Sequence, residues 1–180
     1  ITGNTGTGIT VDGSATARTF AGTGSALNTY FTTAGKITYQ GALHNTTSRT
    51  LTTQVSDGSL TATTTSTLNF TAVNDAPTVS APASFALTED VAGNLTYTGT
   101  PLADVDSTNL TVTLTISDGT ITGNAGTGIT VGGSATARTF AGTITDLNAY
   151  LTTAGKITYQ GALNNTTSRT LTTQASDSSL

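Results

Sequence analysis

Leu110-Thr111-Val112-Thr113-Leu114-Thr115-Ile116-Ser117-Asp118-Gly119 carries an apolar residue at every second position and closes on an Asp-Gly pair. Successive side chains of a β-strand point to opposite faces, so this spacing makes one apolar face and one threonine face. The Asp-Gly pair then turns the chain. Working outward, Leu68, Phe70 and Ala72 alternate with Asn69, Thr71 and Val73, and Thr61–Val73 is expected to be another strand. Ile37-Thr38-Tyr39 and Ile157-Thr158-Tyr159 read as short strands. Turn signals stand between such runs at Asp12-Gly13, Asp57-Gly58, Asp118-Gly119 and Gly132-Gly133. Only the stretches before Ala34-Gly35 and Ala154-Gly155 have room for a helical turn, as in Leu147-Asn148-Ala149-Tyr150-Leu151. Many short strands with frequent turns predict an all-β chain built as a β-sandwich with Greek-key connections.

The composition agrees with that class. Of 180 residues, 47 are threonine, which is β-branched and favours strands. Outward threonines also keep a sheet wettable with few charges, and only 9% of residues are charged. Six basic against ten acidic residues, with no basic cluster, exclude nucleic acid as a natural partner, because phosphate recognition needs grouped Lys and Arg. No apolar run approaches the length of about 18 residues that a membrane-spanning helix needs. Cysteine is absent, so disulfides, thiolate metal sites and cysteine nucleophiles are ruled out.

The chain repeats itself. Ile1 to Leu60 returns as Ile121 to Leu180 with 10 differences in 60 positions, an offset of 120 residues. A unit of that length is a domain and not the rung of a solenoid. Asn74-Asp75-Ala76-Pro77 reads as a linker. Residues 1–73 are therefore expected to be the C-terminal part of one repeat and residues 74–180 most of the next, lacking its last strand. Such a phase predicts a window on a longer tandem array.

Between Arg49 and Arg138 there is no Lys or Arg, yet the stretch holds Asp57, Asp75, Glu89, Asp90, Asp104, Asp106 and Asp118. Two readings are open. The carboxylates are solvated one by one on loops, or several converge on a hard cation such as Ca²⁺, which takes about six to eight oxygen ligands. Asp104-Val105-Asp106 is expected to place two carboxylates on one side of an extended chain.

Val73-Asn74-Asp75-Ala76-Pro77 resembles the interdomain linker of cadherins and of the cadherin-like repeats of giant bacterial surface proteins. Glu89-Asp90 in a first strand, Asp104-Val105-Asp106 and a late Ser56-Asp57-Gly58 follow in the matching order. Leu147-Asn148-Ala149-Tyr150 before Ile157-Thr158-Tyr159-Gln160-Gly161 is also similar to repeats of RTX-type adhesins and VCBS-like extender domains. The resemblance implies immunoglobulin- or cadherin-like sandwiches with Ca²⁺ held at domain junctions. Carried over by position, it assigns Asn74, Asp75, Asp104, Asp106 and Asp177 to one junction. Glu89 then serves a junction beyond Leu180, and Asp57 one before Ile1. The match has gaps: Ala72 stands where the linker has an acid, and the Asn that should follow the Asp is missing. Fewer ligands imply fewer ions or weaker binding.

Other constellations are poorer. His44 is the single histidine and its counterpart is Asn164, so neither a Ser-His-Asp triad nor any shared nucleophile–base pair recurs in both copies. The glycine-rich Gly3–Gly8 lacks the Lys and the helix of a phosphate loop and reads as a turn. Lys36 and Lys156 read as surface lysines. The expectation is a non-enzymatic structural segment of an extracellular, bacterial cell-surface protein: an adhesin stalk, surface fibre or surface layer stiffened by Ca²⁺. Its partners are neighbouring repeats of the same protein, or identical chains in a fibre or layer. The alternative is a glycan- or protein-binding adhesion module. For it, the most divergent loop, Gly24-Ser25-Ala26 against Ile144-Thr145-Asp146, is the first place to look.

Overall fold

A computed structural model describes residues 1–177. The chain divides into two compact units, Ile1–Ala72 and Val73–Leu180. The described residues are predominantly β, with antiparallel pairing throughout and two nine-residue helices.

The first unit runs β1 (Thr2–Gly3), β2 (Thr10–Gly13), β3 (Arg18–Ala21), α1 (Gly24–Thr32), β4 (Ile37–Thr38), β5 (Arg49–Ser56) and β6 (Thr61–Leu68). Its strands form three separate pairs, β1 with β4, β2 with β3 and β5 with β6. The last pair is a hairpin in continuous register from Arg49↔Leu68 to Ser56↔Thr61. Its turn is set by Asp57, whose Oδ1 accepts from the N–H groups of Ser59 and Leu60 at 2.9 and 2.8 Å. Gly58 beside it sits at φ +97°, a conformation that suits a residue without Cβ. Strand β6 stops at Leu68, short of the expected Val73, so Phe70 lies beyond the ladder. There its ring packs against Tyr39 with centroids 5.7 Å apart.

The second unit runs β7 (Thr78–Val79), β8 (Gly93–Asn94), β9 (Leu102–Ala103), β10 (Asn109–Thr115), β11 (Thr120–Gly123), β12 (Thr130–Gly133), β13 (Ala137–Thr143), α2 (Ile144–Thr152), β14 (Ile157–Gln160) and β15 (Thr172–Ser176). One sheet has the order β12-β13-β10-β15, a second β11-β14-β8, and β7 pairs with β9. Strand β10 is central because it has a ladder on each edge, seven residue pairs with β13 and five with β15. Its alternation does what the spacing requires: Leu110, Val112, Leu114 and the following Ile116 are buried, whereas Thr111 and Thr115 are exposed. Phe140 of β13, Ile121 of β11, Ile157 of β14, Leu102 of β9 and Leu147 and Leu151 of α2 complete one shared core.

The helices are full elements and not single turns. Thr143 caps α2: its Oγ1 accepts from the Asp146 N–H at 3.1 Å and donates to Asp146 Oδ2 at 2.8 Å. That reciprocal box satisfies an orphan donor and puts a carboxylate at the positive end of the helix. Thr23 caps α1 in the same way through the Ala26 N–H, without the carboxylate. Leu147, Tyr150 and Leu151 recur at helical spacing and are the buried face of α2. The Tyr150 hydroxyl donates to the Asn124 carbonyl at 2.6 Å, and Tyr30 repeats the contact with Asn4. Glycine is required on that path, since a Cβ on Gly126 would stand 2.6 Å from the Tyr150 ring. The most divergent stretch of the two copies, expected to be a loop, is thus the first turn of each helix.

Candidate functional site

The pairing of β7 with β9 places Thr78 opposite Ala103, so the residues before β7 run alongside those after β9. The pairing of β10 with β15 places Thr111 opposite Ser176, which brings Asp177 to the start of β10. Asn74, Asp75, Asp104, Asp106 and Asp177 therefore gather at one end of the second unit, although as many as 103 residues separate them in sequence.

Contacts tie them in pairs. Asn74 Nδ2 donates to Asp177 Oδ2 at 2.7 Å, and Asp177 is fully buried. The Asp75 N–H donates to Asp106 Oδ2 at 2.8 Å. Asp104 Oδ1 accepts from the N–H groups of both Asp106 and Ser107, at 2.8 and 2.7 Å. The Asp104–Asp106 segment is consequently a tight side-chain-capped turn and not the extended chain expected, because an aspartate competes well for nearby backbone donors. Asp104 Oδ2 is buried and has no hydrogen-bond partner among the described residues.

The other two expected ligands lie elsewhere. Asp57 holds the β5–β6 turn of the first unit; the Leu60 and Ser59 N–H groups draw its carboxyl below the usual carboxylate range. Glu89, with Asp90, occupies a turn between β7 and β8 instead of a strand. It lines a groove shared with Ile116 and Tyr159, at the end of the second unit where β10 finishes, opposite the five-residue cluster. Asp90 adopts φ +62° there, and its Oδ1 accepts from the Asn164 N–H at 2.7 Å.

The donor chemistry at the five-residue end suits a hard divalent cation, being carboxylate and amide oxygen with no sulfur or imidazole. Asp104 Oδ2 is the specific point of fit. Burying a carboxylate oxygen without a partner is costly, and a cation would supply the missing interaction. In the arrangement seen, no three Asp, Glu or His side chains among the described residues stand close enough together to hold an ion.

Two further features escaped the sequence reading. Asp118 Oδ1 accepts from Arg169 Nε at 2.6 Å across 51 residues, and the guanidinium holds the Asp118 carboxyl below its ordinary range. The Tyr97 hydroxyl and Thr173 Oγ1 share a hydrogen bond of 2.6 Å beside β15, and burial pushes the Tyr97 phenol up, keeping it neutral. The lysines Lys36 and Lys156 each donate to a backbone carbonyl, of Thr5 and Ala125. His44 is exposed at φ +55° and its counterpart Asn164 at φ +54°, the same left-handed corner in both copies.

Compared with known family models, curated proteins and solved structures, the chain matches none.

Proposed function

We propose that this chain is a structural segment of a long extracellular surface protein: a stalk, fibre or layer made of tandem Greek-key β-sandwich repeats and stiffened by Ca²⁺. The observation that carries the reading is the buried, unpartnered Asp104 Oδ2 at the end of the second unit where the Asn74-Asp75 linker is tied to Asp106 and Asp177. Asp104, Asp106 and Asp177, with the oxygens of Asn74 and Asp75, are the residues that would hold the ion. A bound Ca²⁺ supplies two positive charges that offset their mutual repulsion. The residues then act as a clamp. The side chain of Asn74 and the backbone of Asp75 are fastened to loops that belong to the folded body, so the linker leaves that body in one direction. Two copies that differ at 10 of 60 positions suit an array of spacers, and no nucleophile–base pair is shared between them.

A thermal melt in millimolar Ca²⁺ against EDTA tests this. At a ligand concentration near 100 times Kd, binding to the native state alone adds about 2.7 kcal/mol. For a domain of this size that is a rise of roughly 10 °C. Changing Asp104 and Asp106 together to Asn removes the rise. An unchanged melting temperature, with no Ca²⁺ uptake by calorimetry, overturns the cation clamp and leaves strand pairing alone to hold the array.

A further inference from the structure

Six asparagines stand in Asn-x-Thr triplets: Asn45, Asn69, Asn94, Asn109, Asn164 and Asn165. That triplet is the acceptor for N-linked sugar, and in a threonine-rich chain many copies of it arise from composition alone. The fold sorts them. Leu95 and Leu110, which follow Asn94 and Asn109, are each 3% exposed, and Phe70, which follows Asn69, rests on the Tyr39 ring. A transferase has to grip all three residues of the triplet, so these three are closed to it. Asn164 is held at φ +54° with its N–H on Asp90 Oδ1, and its counterpart in the first copy is His44.

Asn45-Thr46-Thr47 and Asn165-Thr166-Thr167 differ from the rest. All six residues are exposed. Asn45 Oδ1 accepts from the Thr47 N–H at 3.0 Å, and Asn165 Oδ1 accepts from the Thr167 N–H, also at 3.0 Å. Such a turn engages the amide oxygen with its own backbone and keeps Nδ2, the atom that takes a sugar, out of the turn. Both bends are braced alike: Arg49 Nη1 donates to the Thr47 and Ser48 carbonyls, and Arg169 Nη1 to those of Thr167 and Ser168. The residue before each asparagine lies in the left-handed region, His44 at φ +55° and Asn164 at φ +54°, where a residue other than glycine is uncommon. In the first unit β6 follows this bend, and in the second unit residues 74–120 precede it. The bend is exposed beside either.

We propose that Asn45 and Asn165 are acceptors of N-linked sugar, one in each 120-residue repeat. The co-reactants are a sugar diphosphate, carried by a nucleotide or by a lipid, and the transferase that binds it. Nδ2 bonds to the anomeric carbon, and the bond from that carbon to the diphosphate oxygen breaks. The diphosphate leaves with the electron pair, and the amide proton passes to a base of the transferase. A sugar at each repeat adds polar bulk to a chain with only 9% charged residues. It also stands beside Leu43 and Leu163, which are 80% and 69% exposed.

Glycopeptide mapping by mass spectrometry tests the assignment. The folded chain, produced in a host without N-glycosylation, is incubated with a soluble N-glycosyltransferase that reads the triplet and with UDP-glucose. The expected result is glucose on Asn45 and Asn165 and on no other asparagine. Synthetic peptides spanning Asn69, Asn94 and Asn109 take glucose under the same conditions, which assigns their silence in the folded chain to the fold. Asn45→Gln and Asn165→Gln each remove one glucose at an unchanged melting temperature, and the second leaves the Asn164 triplet intact and bare. The map shares no readout with the Ca²⁺ melt, so either reading can fail without the other. On protein from its native source, single hexoses at the two asparagines identify a nucleotide-linked donor and a preassembled oligosaccharide a lipid-linked one. Native protein bare at both overturns the proposal, and so does a folded chain that takes glucose on Asn94 or Asn109 as readily as on Asn45 and Asn165.

Discussion

At the residue scale, Asp118 and Arg169 show how one contact sets a pH response. Their side chains are 42% and 17% exposed, so solvent screens the pair and its contribution is modest. The carboxyl of Asp118 is held below its ordinary value first by the Arg169 hydrogen bond, and that of Asp57 first by the Leu60 N–H. A folded-state pKa below the unfolded one adds stability that is complete above the unfolded value, near 4, and is lost as pH falls through the folded value. Unfolding followed from pH 7 to pH 2 is therefore expected to be flat down to about pH 4 and to weaken below it. Asp118→Asn removes part of the acid-side slope of the second unit; an unchanged slope assigns the effect to other carboxylates.

Asn148 acts on a neighbouring element. Its Oδ1 accepts from the Leu102 N–H at 2.9 Å and its Nδ2 donates to the Leu102 carbonyl at 3.0 Å, which fastens α2 to β9. Leu102 is 1% exposed, so both backbone groups would be left unpaired without the amide. Asn148→Ala is expected to cost about 2 kcal/mol in a denaturant melt. The counterpart Asn28 is exposed. Helix α2 itself was legible only in part. Ile144, Thr145 and Thr152 lower its helix propensity, which is why the sequence reading allows a single turn. The Thr143–Asp146 capping box and the Leu147, Tyr150, Leu151 spacing were the signals for a full helix.

Across the whole molecule the two copies have nearly the same sequence and unequal cores. Phe140, Leu147, Leu151 and Ile157 are each 1% exposed or less, whereas among the apolar residues of the first unit only Tyr30 is buried and Phe31 is 50% exposed. The difference comes from residues 74–120, whose Leu95, Tyr97, Leu102 and β10 side chains cover the core of the second unit and have no counterpart within residues 1–72. Amide exchange is expected to follow the pairing within the second unit. Protection should be strongest on β10, which has a ladder on each edge, and weaker on β12, which pairs only with β13 among the described residues. Equal protection of β10 and β12 would contradict that order.

The sequence by itself determined the β class, the buried face of β10 and the 120-residue repeat, because strand periodicity and self-similarity are local properties of the chain. It also picked out a run of carboxylates with no Lys or Arg among them, since such a stretch is visible in one dimension. Only the tertiary structure decided which carboxylates meet: the β7–β9 and β10–β15 registers bring Asn74 to Asp177 and Asp75 to Asp106, and leave Glu89 at the opposite end. It also decided that Asp104-Val105-Asp106 turns instead of extending, and that Asn148 is a fastener where Asn28 is exposed. Burial and long-range pairing depend on what packs against a segment from elsewhere in the chain, which the residues of the segment do not state.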